Sequence, residues 1–87
     1  MKVHIPGFSA LNGSPITILR LMRDARFFHD APDLDEYIVE MQQAAWRIYN
    51  VGLCVTGDTI EERAESLLRE MDRHNQLKIE EEHVSQK

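Results

Sequence analysis

Between Asp33 and Asn50 the apolar residues Leu34, Tyr37, Ile38, Met41, Ala45, Ile48 and Tyr49 recur at the spacing of one face of a 3.6-residue helix. This stretch predicts an amphipathic helix around which the rest of the chain is organised. Asp33 with Glu36 three residues on reads as a capping box, and Asn50 and Gly52 suit a left-handed stop. The outer face carries Asp35, Glu36, Glu40, Gln43 and Arg47, and Val39 and Trp46 form a second apolar stripe beside the main one.

Ahead of this helix, Lys2 to Ile5 alternates polar and apolar residues and is stopped by Pro6-Gly7, the pattern of a short strand that could be an edge. Phe8 and Leu11 are expected in a loop, tucked under the fold. Asn12-Gly13 signals a turn, read as a loop and not a hairpin because a helix follows. Ser14-Pro15 starts that helix, with a capping hydroxyl and a proline whose missing N–H costs nothing in the first turn. It should run to about His29 or Asp30, turning Ile18, Leu21, Met22, Ala25 and Phe28 inward, flanked by Ile16 and Leu19, with Arg20, Arg23 and Phe27 opposite. The short link through Ala31-Pro32 favours an antiparallel helix pair.

Beyond Asn50, Leu53-Cys54-Val55 reads as a second strand beside the first. Thr59 and Glu62 form another capping box, and Ile60, Ala64, Leu67, Leu68 and Met71 give a third helix ending near His74-Asn75. Glu65 and Arg69 stand at the favourable acid-before-base spacing on its outer side. Leu77 and Ile79 alternate with polar residues, which suits either a third strand or a frayed tail. The class is α+β, three amphipathic helices on a two- or three-stranded sheet in the order β-α-α-β-α, with an optional last strand. Residues 1–75 form one compact domain and 76–87 a polar tail.

At 87 residues, 43% apolar and 29% charged, the chain has the composition of one small folded domain. Its single cysteine, Cys54, excludes an internal disulfide, and with no leader-like opening the expected setting is the cytoplasm. No run approaches the roughly 18 apolar residues of a membrane span. The net charge of −5 disfavours nucleic acid as a partner. The charge is uneven, because residues 1–31 carry Lys2, Arg20, Arg23 and Arg26 against Asp24 and Asp30, leaving all the negative excess to the remainder.

No catalytic, metal or cofactor constellation emerges. His4, His29, His74 and His83 show no zinc-ligand spacing, and Cys54, between Leu53 and Val55, is expected either on the face opposite theirs or as a core filler. The carboxylate runs at Asp33 to Glu36 and Glu61-Glu62 open helices, where the dipole explains them. The expectation is a protein without enzymatic activity. Two surfaces are candidates for partner binding. Arg20, Arg23 and Phe27, with Arg26, could meet a protein, or the phosphates and bases of nucleic acid; alternatively the arginines pair with acidic faces of the other helices while Phe27 packs near Phe8. Val39 and Trp46 could form a homodimer or partner groove, or be covered by the domain itself.

The segments MKVHIPGF with SPITILRLMRDARFF, and EYIVEMQQAAWRIYNVGLCVTGDTIEERAESLLREM, resemble small uncharacterised proteins encoded in phages and prophages of Gram-positive bacteria. The likeness lies in general texture over most of residues 1 to 71. It implies a small acidic protein that binds and redirects a host or phage protein, and it assigns no catalytic residue.

Overall fold

A computed structural model of the chain describes residues 1–7, 10–25 and 33–80. In chain order these form β1 (Lys2–His4), β2 (Leu11–Asn12), α1 (Pro15–Asp24), α2 (Leu34–Ala44) continuing into a π-helical turn (Ala45–Tyr49), α3 (Ile60–Arg73) and β3 (Lys78–Glu80). The class is α+β, three helices against a three-stranded antiparallel sheet.

The sheet order is β2-β1-β3, so the first strand is central and not an edge. Val3 pairs with Leu11 on one side and Ile79 on the other, and Lys2 with Asn12 and Glu80. Because side chains alternate across a strand, Val3, Leu11 and Ile79 share the face turned to the helices. Val3 is completely buried, with the other two packed against the core. The opposite face is polar, and there His4 Nε2 lies 2.6 Å from Glu80 Oε1.

Leu11 and Asn12 are thus paired, where the sequence suggested a loop. Gly13, at φ +139°, lets the chain leave β2 directly into α1. Conversely, Leu53 to Val55 is not in the sheet. Leu53 is buried and Val51 and Val55 pack on the core, but the segment runs extended alongside α3.

Its backbone is satisfied by that helix's side chains. The Cys54 N–H donates to Glu70 Oε1 at 3.0 Å, the Thr56 N–H to Ser66 Oγ at 3.0 Å and the Asp58 N–H to Glu62 Oε1 at 2.7 Å. Alternate residues of an extended chain repeat at about 6.6 Å, and every fourth helical residue at about 6 Å, so the two ladders stay in step over three rungs. Gln42 Nε2 anchors the start of the segment by donating to the Leu53 carbonyl at 2.8 Å.

The helix starts follow the sequence. Ser14 accepts the Thr17 N–H and Asp33 the Glu36 N–H, and Thr59 with Glu62 makes both bonds of a capping box. On α3, Ala64, Leu67, Leu68 and Met71 are buried as the periodicity predicts. That helix touches α1, α2 and β3, and α1 touches α2, α3 and β2, so α2 is not the single element around which the core is organised. On α1 the buried face is Ile18, Leu19 and Met22. Leu21 is 40% exposed and Ala25 is exposed, so the inward face is rotated from the one expected. Phe28 and the link to α2 lie outside the described residues.

Tyr37 is fully buried, yet its hydroxyl has no hydrogen-bond partner among the described residues. Burial pushes its ionisation well above the ordinary tyrosine range, opposed in part by the Arg23 guanidinium.

Candidate protein-interaction surface

The second helix buries Tyr37, Ile38, Met41, Ala44 and Ala45 against the core. Past Ala44 the winding widens. Val51 donates to the Ala45 carbonyl at 3.1 Å and Asn50 to the Trp46 carbonyl at 3.0 Å, with Asn50 in the left-handed region at φ 57°. A π turn advances each residue by less than the 100° of an α-helix, so positions placed on the core face by 3.6-residue periodicity fall out of phase. Ile48 and Tyr49, expected in the core, are 64% and 56% exposed for this reason.

Val39 and Trp46 stand where a partner-binding stripe requires them, at 49% and 60% exposure. The domain does not wrap this side of the helix. Glu36, Val39 and Gln43 follow one another at spacings of three and four residues, an exposed row down the outside of α2, and exposed Trp46 follows in the π turn. Glu40 and Arg47 flank it. Asp35, on its other side, pairs with Arg63 of α3 and so ties the two helices together.

The exposed group at the C-terminal end, Trp46, Arg47, Ile48 and Tyr49, contains the residue types most enriched at binding hot spots. Tyr49 also borders a cavity of about 430 Å³ with Pro6, Val51 and His74 to Gln76. His74 Nε2 and Gln76 Oε1 at its wall are buried without a partner among the described residues. Ile48 and Tyr49 were hidden from sequence reasoning because nothing in Ala45 to Tyr49 marks a π turn.

The arginine surface is only partly described. Arg20 is exposed on α1, while Arg23 is half-buried, with Nε 3.8 Å from Asp24 Oδ1. Arg26 and Phe27 lie outside the described residues. The Arg23 charge reaches the buried Tyr37 hydroxyl, so its environment differs from that of Arg20.

Cys54 is exposed, on the side opposite buried Leu53, and is not a core filler. Glu65 and Arg69 pair at 2.8 Å on the outside of α3. Thr56, Gly57, Ser66, Arg69 and three glutamates line a shallow groove of about 440 Å³ there, which is the seam of the backbone ladder. Among the described residues no three potential metal ligands come together, and no helix is long and apolar enough to cross a membrane. Comparison with protein-family models, with curated proteins and with solved structures finds no match to this chain.

Proposed function

We propose that this chain is a small non-enzymatic interaction protein, acting in the cytoplasm by binding another protein through the exposed row on α2 and the π turn that ends it. The observation that carries the reading is Trp46, 60% exposed, with Val39 also exposed on the outside of α2 and Ile48 and Tyr49 exposed in the π turn. Leaving large apolar side chains in water forgoes roughly 1.5–3 kcal/mol for each that could have been buried, and a group of exposed large apolar residues marks interfaces. The resemblance to small phage and prophage proteins supports a regulatory role of the same kind, in which a host or phage protein is bound and redirected. Nucleic acid is the weaker alternative, since a net charge of −5 opposes phosphate binding.

The test is photo-cross-linking in the native cell with a benzophenone amino acid at Gln43, on the row, and at Arg73, exposed on α3, as control. Protein adducts at Gln43 and none at Arg73 are expected. Equal yields at both positions, or none at either, would reject the row as a binding surface.

A further inference from the structure

We propose that the open edge of β3 is a contact with a second copy of this chain, the two β3 strands pairing antiparallel about Ile79 so that the two sheets join into one. The backbone decides which residue the edge presents. The Gly13 N–H donates to the Met1 carbonyl at 3.0 Å, which continues by one position the register that pairs Lys2 with Asn12 and Val3 with Leu11. Bonded and non-bonded pairs alternate along an antiparallel ladder, so Met1–Gly13 and Val3–Leu11 exchange hydrogen bonds and Lys2–Asn12 does not. The N–H and C=O of Val3 therefore point to β2, and those of Lys2 and His4 point to β3, where they meet Glu80 and Lys78. Ile79 is left. Its N–H and C=O point away from β1 to the open edge, and no turn, loop or cap among the described residues takes them.

A two-fold axis at Ile79, perpendicular to the sheet, sets these groups against the same groups of the other copy, N–H to C=O in both directions. The flanking residues are complementary in the same arrangement, Lys78 lying opposite Glu80 of the other copy and Glu80 opposite its Lys78. These are non-bonded positions, where side chains come closest and opposite charges stabilise the pairing. The neighbouring two-folds fail twice. Centred on Lys78 or on Glu80, they oppose like charges and bring together backbone groups already bonded to β1. A slip of one residue instead turns paired side chains to opposite faces. Lys78 is exposed and makes no ion pair among the described residues, so it enters the contact without breaking one. Glu80 keeps its bond to His4 through Oε1, and with a side chain 60% exposed it has Oε2 left to receive the lysine. Ile79 is only half-buried in one copy, and the join sets it beside the other Ile79 on the face turned to the helices.

A three-residue edge buries far less than the roughly 800 Å² per partner of a standard interface, so the dimer is weak and is followed from about 20 μM to about 2 mM. Diffusion and amide NMR spectra of the whole chain over that range are expected to show monomer passing to dimer, with the largest dilution shifts at Lys78, Ile79 and Glu80. The Ile79 amide should exchange with solvent more slowly in the concentrated sample. Lys78→Glu, at an exposed position, should weaken the dimer about tenfold by opposing like charges on both sides of the axis. Glu80→Lys should do the same, and a mixture of the two variants should dimerise more strongly than either alone, because each then meets its complement. A wild type monomeric at the highest concentration, dilution shifts centred on α2 and the π turn instead of β3, or a Lys78→Glu dimer as strong as wild type would each overturn the proposal. If Glu80→Lys releases β3 by losing the His4 bond, the wild type and Lys78→Glu decide the matter alone. The contact involves no residue of α2, so its failure leaves the proposed surface there standing.

Discussion

Replacing Ser66 with alanine tests the most unusual piece of construction in the fold, an extended segment hydrogen-bonded to helix side chains in place of a neighbouring strand. Ser66 Oγ accepts the Thr56 N–H at 3.0 Å, and the rungs on either side are supplied by Glu70 and Glu62. Thr56 is exposed, so water replaces the lost acceptor and the cost falls in the lower half of the usual 0.5–1.5 kcal/mol for a hydrogen bond, about 0.5–1 kcal/mol. Glu70→Ala removes a charged acceptor and costs more, about 1.5–2 kcal/mol, including a few tenths for the lost pair with Arg73. The rungs share one strap, so losing one loosens the next. The double variant should therefore cost less than the sum, by about 0.5 kcal/mol or more. Urea unfolding gives the global values, and amide hydrogen exchange at Cys54, Thr56 and Asp58 gives the local ones. Ser66→Ala should speed Thr56 exchange about twofold to fivefold, the kinetic equivalent of that loss. Unchanged exchange at Thr56 would show that Leu53 and its apolar neighbours alone hold the segment, and strict additivity in the cycle would show that the rungs act independently.

Tyr37→Phe should leave the fold intact and stabilise it by about 1 kcal/mol in urea unfolding, because it deletes a buried hydroxyl that has no partner among the described residues while keeping the ring; destabilisation would reveal a bond to that oxygen. Trp46→Ala should cost about 1 kcal/mol or less in dilute solution, whereas Leu67→Ala, at a fully buried position, should cost about 2–5 kcal/mol by calorimetry or urea; equal costs would place Trp46 in the core. Glu80 is held below the ordinary glutamate range first by its hydrogen bond from His4 and then by the charge of Lys2. Its contribution is thus complete above the unfolded glutamate value and is lost as pH falls through the lower folded one. A carboxyl NMR titration should show Glu80 titrating below the ordinary glutamate range, with His4→Ala moving it back up; no movement would discount the pair.

Much of the fold could be read from local chemistry. Ser14, Asp33 and Thr59 announce their helices through side chains that accept specific backbone donors, and these bonds form wherever the segment is helical. The α3 face was legible because Ala64, Leu67, Leu68 and Met71 keep strict period through one uninterrupted helix. Tyr49 was misplaced because a change of winding within α2 shifts the phase without altering the residue types. Leu53 was assigned to a strand because its pattern is that of an extended chain, which it is; what the pattern omits is the identity of the acceptors. Glu62, Ser66 and Glu70, each four residues apart, carried that information on a face that reads simply as polar. The centrality of β1 was hidden for a related reason, since both its partners are short and weakly apolar. Of the proposed surface, Val39 and Trp46 were visible as a stripe with no assigned neighbour, while the exposure of Ile48 and Tyr49 needed the π turn.

The pairing of Lys2 with both Asn12 and Glu80 has a temporal meaning. During synthesis β1 emerges early, and β2 and all three helices are made before the strand that covers its other edge. Until residues 78–80 leave the ribosome, the central strand has one open edge and β2 alone beside it, so the sheet is finished by the longest loop closure in the described chain. Closure of the sheet therefore waits until residues 78–80 are available, and until then the open edge of β1 is the site most exposed to wrong strand pairing. The same closure brings positions 2 and 80 side by side, so a flexible linker between them, with the chain opened outside the strands, would preserve every strand pairing.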